Sequence, residues 1–159
     1  MKNGVFIMSN YQRILVAVDG SKGAQIALEH AIEIVKRNPQ AHLDILRVID
    51  INALEYGGAG IALDGAKVYE LEQANEQYMF DLNTQLVEQY HLDAAKVHVH
   101  LRFGNPKTVI VHDFQPEYQN DLLIVGSTGK NFIQRMVVGS VAAYVIQNAG
   151  CDVLVAKFE

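Results

Sequence analysis

The sequence predicts an α/β fold, a mostly parallel sheet with helices on both of its faces. Three observations carry this. Apolar runs of strand length alternate along the chain with segments of helical period. The first run, RILVAV, is nearly continuous, as suits a strand buried on both faces. No proline- or glycine-rich linker divides the 159 residues, so residues 1–159 are read as one domain, with 1–10 as a short leader.

The elements follow in order. After RILVAV, the segment DGSKGAQIALEHAIEIVKR places Ala24, Ala27, Leu28, Ala31, Ile34 and Val35 at helical spacing, with Ser21 as N-cap. HLDILRVI is the second strand. Residues 52–65 carry four of the twelve glycines and read as a flexible loop, serving either as a lid or as a plain connection. A longer helix follows, with Val68, Leu71, Tyr78, Leu82 and Leu86 on one stripe. KVHVHLRF alternates strictly and suits a half-exposed edge strand. GNPKTVIVHDF begins a helix, with Asn105 as N-cap and Pro106 in the first turn, where a missing N–H is harmless. DLLIV, a glycine loop, a helix through Asn148 stopped by Gly150, and a last strand DVLVAK complete the chain.

Half of the residues are apolar, enough for one core that buries roughly two thirds of the unfolded surface. A formal charge of −5 argues against broad contact with nucleic acid or an anionic membrane, which need clustered Lys and Arg. The sole cysteine, Cys151, allows no disulfide within the chain and reads as a small apolar residue beside a strand. The apolar run within residues 1–10 is too short for a secretory signal, and no later run approaches the roughly 18 residues needed to span a bilayer. A cytoplasmic protein is expected.

Chemistry concentrates in two loops that leave strand ends, VDGS after the first strand and VGSTG after the fourth. In sheets of this class, ligands bind outside the carboxyl ends of the strands, where the winding direction reverses. Gly126, Gly129 and Gly139 are spaced G-x2-G-x9-G and followed by Ser140. Gly126 has no Cβ to keep a ligand from the backbone, and Gly129 lets the chain turn so that amides face an anion. At Gly139 and Ser140 the start of the next helix offers free N–H groups to phosphate. The spacing describes a phosphate cradle. It is neither a Walker A loop, since Ile124 stands where that motif needs glycine, nor a GxGxxG fingerprint.

The loop, the opening ILVAVDGSKGAQIAL, and the segments LRVID, GNPKTVIV and CDVLVAK together resemble the universal stress protein family, over about residues 13–157. The resemblance implies a flavodoxin- or Rossmann-like three-layer sandwich with a five-stranded parallel sheet in the order 3-2-1-4-5. It also implies ATP binding, with Mg or Mn accompanying the phosphates, and a homodimer through the last strand. By the same resemblance, Asp19 meets the ribose, Val48 offers backbone groups to adenine, and Ala17 and Val18 wall the base. Gly126 lies against the sugar; Gly129, Gly139, Ser140 and Val141 hold the phosphates; Val125 and Thr128 complete the site.

Asp19 reads from its position alone as a turn residue or as a ribose or metal contact. Lys130 and Arg135 read as solvated charges, and His98 and His100 as a polar strand face without a third metal ligand. No catalytic residue is assigned. Three functions are therefore open: a nucleotide-responsive regulatory module, a slow ATPase or phosphotransferase, and a nucleotide-independent dimeric scaffold.

Overall fold

The structure is a computed structural model and describes residues 11–50, 52, 64–129 and 138–157. The leader and most of the 52–65 loop lie outside the described residues, as do Lys130 and Arg135.

Strand β1 (Arg13–Val18) lies at the centre of a five-stranded parallel sheet of order β3-β2-β1-β4-β5. Its side chains alternate between the two layers of the core, and Ile14, Leu15 and Val16 are inaccessible to solvent. Strand β2 (His42–Ile49) pairs with β1 from Arg13↔His42 to Val18↔Arg47 and, on its other side, with β3 (Val97–Phe103) from Leu43↔Val97 to Ile49↔Phe103. Strand β4 (Leu122–Gly126) pairs with β1 through Ile14↔Leu122 to Val16↔Ile124, and with β5 (Asp152–Ala156) at the second edge. The expected order and the edge position of β3 are both observed.

Helix α1 (Lys22–Arg37) is capped by Ser21, whose Oγ accepts the Ala24 N–H at 3.2 Å. It buries Ala27, Leu28, Ala31 and Ile32 against one face of the sheet. Helix α2 (Gly65–Glu88) covers that same face beside the β3 edge and starts at Asp64, which accepts the Lys67 N–H. Its buried stripe is Asn75, Met79, Leu82 and Leu86. Tyr78 is therefore not on the stripe as expected. Neighbouring helical residues point about 100° apart, so Met79 takes the inward direction, and Tyr78 lies outside with the Arg47 guanidinium 4.5 Å from its ring centre.

Helix α3 spans residues 106–118 on the opposite face. Asn105 caps it, with Pro106 in the first turn as expected. Its middle, Val109–Phe114, is a π-helical segment that the sequence reading did not foresee. The Gln115 N–H reaches back to the Ile110 carbonyl, and the next residue, Pro116, has no N–H to donate. Helix α4 (Ser140–Asn148) covers the same face and ends as expected at Asn148. Its stop differs from expectation: Ala149 turns extended at φ −63° and ψ 139°, and Gly150 adopts no left-handed conformation. Among the described residues, no helix is long and apolar enough to cross a membrane.

Candidate functional site

Because β1 and β4 are neighbours, the loops that follow them emerge side by side at the carboxyl end of the sheet. In the first loop, Gly20 takes the left-handed conformation (φ 81°), and the Ser21 N–H donates to Asp19 Oδ1 at 2.9 Å. The other carboxylate oxygen of Asp19 reaches across to the second loop. It lies 2.8 Å from the point where a Cβ on Gly129 would stand. Asp19 and Gly129, 110 residues apart in the chain, are thus in contact.

The three signature glycines share a property that their spacing did not reveal. None adopts a positive φ. Gly126 and Gly129 are small because something stands close, whereas Gly139 would admit a Cβ at ordinary contact distance. A Cβ on Gly126 would lie 2.5 Å from the Gly23 carbonyl carbon, 2.6 Å from its oxygen and 2.9 Å from the Ala24 nitrogen. Gly126 therefore packs against the first turn of α1. A Cβ on Gly139 would touch Ser127 O and Thr128 Cα at 3.4 Å.

Gly23 is a site residue that the sequence reading missed. A Cβ there would lie 2.2 Å from the Thr128 carbonyl oxygen, so α1 and the glycine loop meet backbone to backbone. The available signal was a glycine in the first turn of an otherwise strong helix, SKGAQIAL, where it costs propensity without a local reason.

Further bonds fix the loop at both ends. The Ser127 N–H donates to the Ala156 carbonyl at 2.8 Å, and the Gly139 N–H donates to the Ser127 carbonyl at 2.6 Å. Ser127 and Thr128 are buried, while Gly129 and Ser140 are exposed. Gly139 is the N-cap of α4 and supplies no side chain to its first turn. The amides of Ser140, Val141 and Ala142 lie in that turn, where a helix gives them no acceptor of its own. The Gly139 amide is already engaged within the loop.

The apolar residues of the expected site divide between the faces of the sheet. Ala17, Val48, Val125 and Val141 belong to one cluster on the α3/α4 face. Val18 packs into the core on the α1 face, so it can meet a ligand on the opposite face only through its backbone. The crevice accordingly has an apolar wall, a carboxylate and a helix start at one end of the sheet. Among the described residues, no three His, Cys, Asp or Glu side chains converge as a metal cage. Cys151 is half-buried beside β5, and burial with the nearby Asp121 and Asp152 pushes its thiol up to about 11, which makes it a poor nucleophile.

A second polar group lies at the amino end of the sheet. Asp44, inaccessible to solvent, accepts hydrogen bonds from Arg13 Nη2 (2.9 Å), Asn120 Nδ2 (2.8 Å) and His100 Nε2 (3.0 Å). Burial opposes its charge, but the three donors outweigh that and hold its carboxyl below the ordinary range. His98 and His100 do face the same side of β3 as expected, yet His100 belongs to this internal network while His98 meets His42 of β2.

Known proteins match both the fold and the sequence. The chain is 32% identical over 157 residues to a protein of Staphylococcus haemolyticus named as a universal stress protein, covering 96% of this chain and 88% of that one. It is 33% identical over 155 residues to a counterpart in Staphylococcus aureus USA300, covering 96% and 87%. Among solved structures, UspA from Lactobacillus plantarum superposes with a TM-score of 0.73 at 31% identity, covering 92% of this chain and 97% of that one. The hypothetical protein MJ0577 superposes with a TM-score of 0.77 at 25% identity, covering 94% and 97%. The model of the universal stress protein family matches residues 10–157. With the family model matched over residues 10–157 and the fold shared with solved members, the chain belongs to the universal stress protein family.

Proposed function

We propose that this protein binds ATP in the crevice between the β1 and β4 loops and acts as a nucleotide-responsive regulatory module. The observation that carries the reading is the meeting of Asp19 with Gly129 beside an apolar wall of Ala17, Val48, Val125 and Val141. The wall suits a purine ring, with the backbone of Val18 and Val48 at its rim. Asp19 suits ribose hydroxyls, which can donate to a carboxylate. The exposed start of α4, with the amides and hydroxyl of Ser140 and the amide of Val141, suits phosphate. Gly126, Thr128, Gly129 and Gly139 shape the loop between these parts, and Val125 closes its floor.

A bare triphosphate would bring several negative charges toward Asp19, so Mg or Mn accompanies it and lowers that repulsion. The same carboxylate supports a second reading, slow hydrolysis or phosphotransfer, which inorganic phosphate release would reveal. The protein works in the cytoplasm as a homodimer, joined through the outer edge of β5. A nucleotide-independent scaffold would keep the dimer and ignore the ligand.

The test is the thermal midpoint of nucleotide-free protein with and without Mg-ATP, with Mg-GTP as the control. At 100 times its dissociation constant a ligand adds about 2.7 kcal/mol, which for a domain of this size is roughly 5–10 °C. A shift with ATP alone supports the crevice. Equal midpoints in all three samples overturn it.

A further inference from the structure

Three of the chain's six histidines gather where β2 and β3 begin, at the end of the sheet opposite the crevice. His42 Nδ1 and His98 Nε2 lie 3.5 Å apart with ring planes only 10° from parallel, so the two nitrogens meet across the strand pair. One proton between them suits this contact: one ring donates and the other accepts. A single added proton can still be accommodated, the charged ring donating to the neutral one, but charging both rings sets two N–H groups and two positive charges against each other. His100, two residues along β3, is held by Asp44 and packs edge-on against Phe114 and Tyr118 of α3.

The surrounding charges set the direction of the response. Facing His98 are Asp44 and His42 from β2, His100 from β3 and Arg13 from β1. Arg102, which donates to Tyr118 of α3, lies further along β3. From α2 come Met79, Phe80 and Asn83, which with residues 97–100 line a groove of about 410 Å³ along the strand edge and bring no charge. Among the described residues, Asp44 is the carboxylate that acts on His98, and it is already committed to three donors. A further proton here finds no free counter-charge.

We propose that this edge is a proton-operated latch: charging both rings of the His42–His98 pair releases the first residues of β3 from β2 and opens the groove beneath α2. The groove would then expose Met79, Val97 and Val99, apolar side chains that line it now. Burial holds His98 below its ordinary value, with His42, His100 and Arg13 acting in the same sense and Asp44 against it. A histidine lowered in the folded state favours folding while it is neutral. Its contribution is complete above about pH 6.5 and is lost as the pH falls below that value. Asp44, whose carboxyl is lowered, stays ionised through this window, so the response belongs to the histidines.

Amide hydrogen exchange at pH 7.5 and pH 5.5, corrected for the intrinsic rate at each pH, tests the latch. Residues 97–103 should lose at least about tenfold in protection at pH 5.5 relative to residues 122–126 of β4. In His98→Gln, which cannot titrate, that relative loss should vanish; His42→Asn serves the same purpose if the first variant folds poorly. Equal relative protection at both pH values in the wild-type protein, or a pH dependence that survives in the variant, overturns the proposal.

Discussion

Replacing Gly126 with alanine separates two reasons for the glycine. In the structure the new methyl would stand 2.5, 2.6 and 2.9 Å from three backbone atoms of Gly23 and Ala24, where ordinary contact begins at 3.4 Å. These atoms lie in the first turn of α1, which Ser21 caps and which packs on the sheet, so no side chain can swing aside. Either the helix start or the end of β4 must shift by the better part of an ångström. Overpacking of this kind costs about 1–3 kcal/mol. At 2–4 °C per kcal/mol for a domain of this length, the thermal midpoint of ligand-free Gly126→Ala should fall by about 2–12 °C. Differential scanning fluorimetry without nucleotide reads it directly. A midpoint within about 1 °C of the wild type would refute the packing argument and return Gly126 to a role that only a bound ligand can reveal.

Gly129→Val should behave differently. Its nearest neighbour is the end of the Asp19 side chain, which can rotate away, so the ligand-free midpoint should change by less than about 2 °C while ATP affinity falls at least tenfold, as calorimetry would show. Asp44→Asn removes the buried charge that Arg13 and His100 face and turns one acceptor oxygen into a donor, and should cost about 3 kcal/mol, near the low end for a broken buried pair because Arg13 is 36% exposed. The acid limb should change too. The Asp44 carboxyl is lowered in the fold, so its stabilisation is complete above its ordinary value of 3.8 and fades as the pH drops below it. Midpoints measured from pH 5 to pH 2.5 should fall less steeply in the variant than in the wild type.

How far the sequence speaks depends on whether the deciding contact is local. RILVAV and HLDILRVI mark β1 and β2 to the residue, because a strand buried on both faces has few alternatives. Ser21 and Asn105 are legible as caps because a cap is satisfied within three residues. Tyr78 was misplaced because Leu71, Tyr78 and Leu82 fit a helical stripe nearly as well as Asn75, Met79 and Leu82, and only the sheet beneath chooses. Asp44 sits inside an apolar strand, and its three partners come from β1, β3 and the approach to β4, so no local pattern announces it. The glycine loop shows both sides of this rule. Its spacing is plain in the sequence, but the reason for Gly126 is Gly23, which lies 103 residues earlier.

The central claim is that the crevice binds ATP. Isothermal titration calorimetry of protein verified as nucleotide-free, with Mg-ATP as the titrant, tests it most directly. The account predicts saturable binding of one ATP per chain, much weaker binding in Gly129→Val, and no comparable binding of Mg-GTP. Absence of heat from ATP in folded protein, or equal affinity in wild type and Gly129→Val, would contradict it.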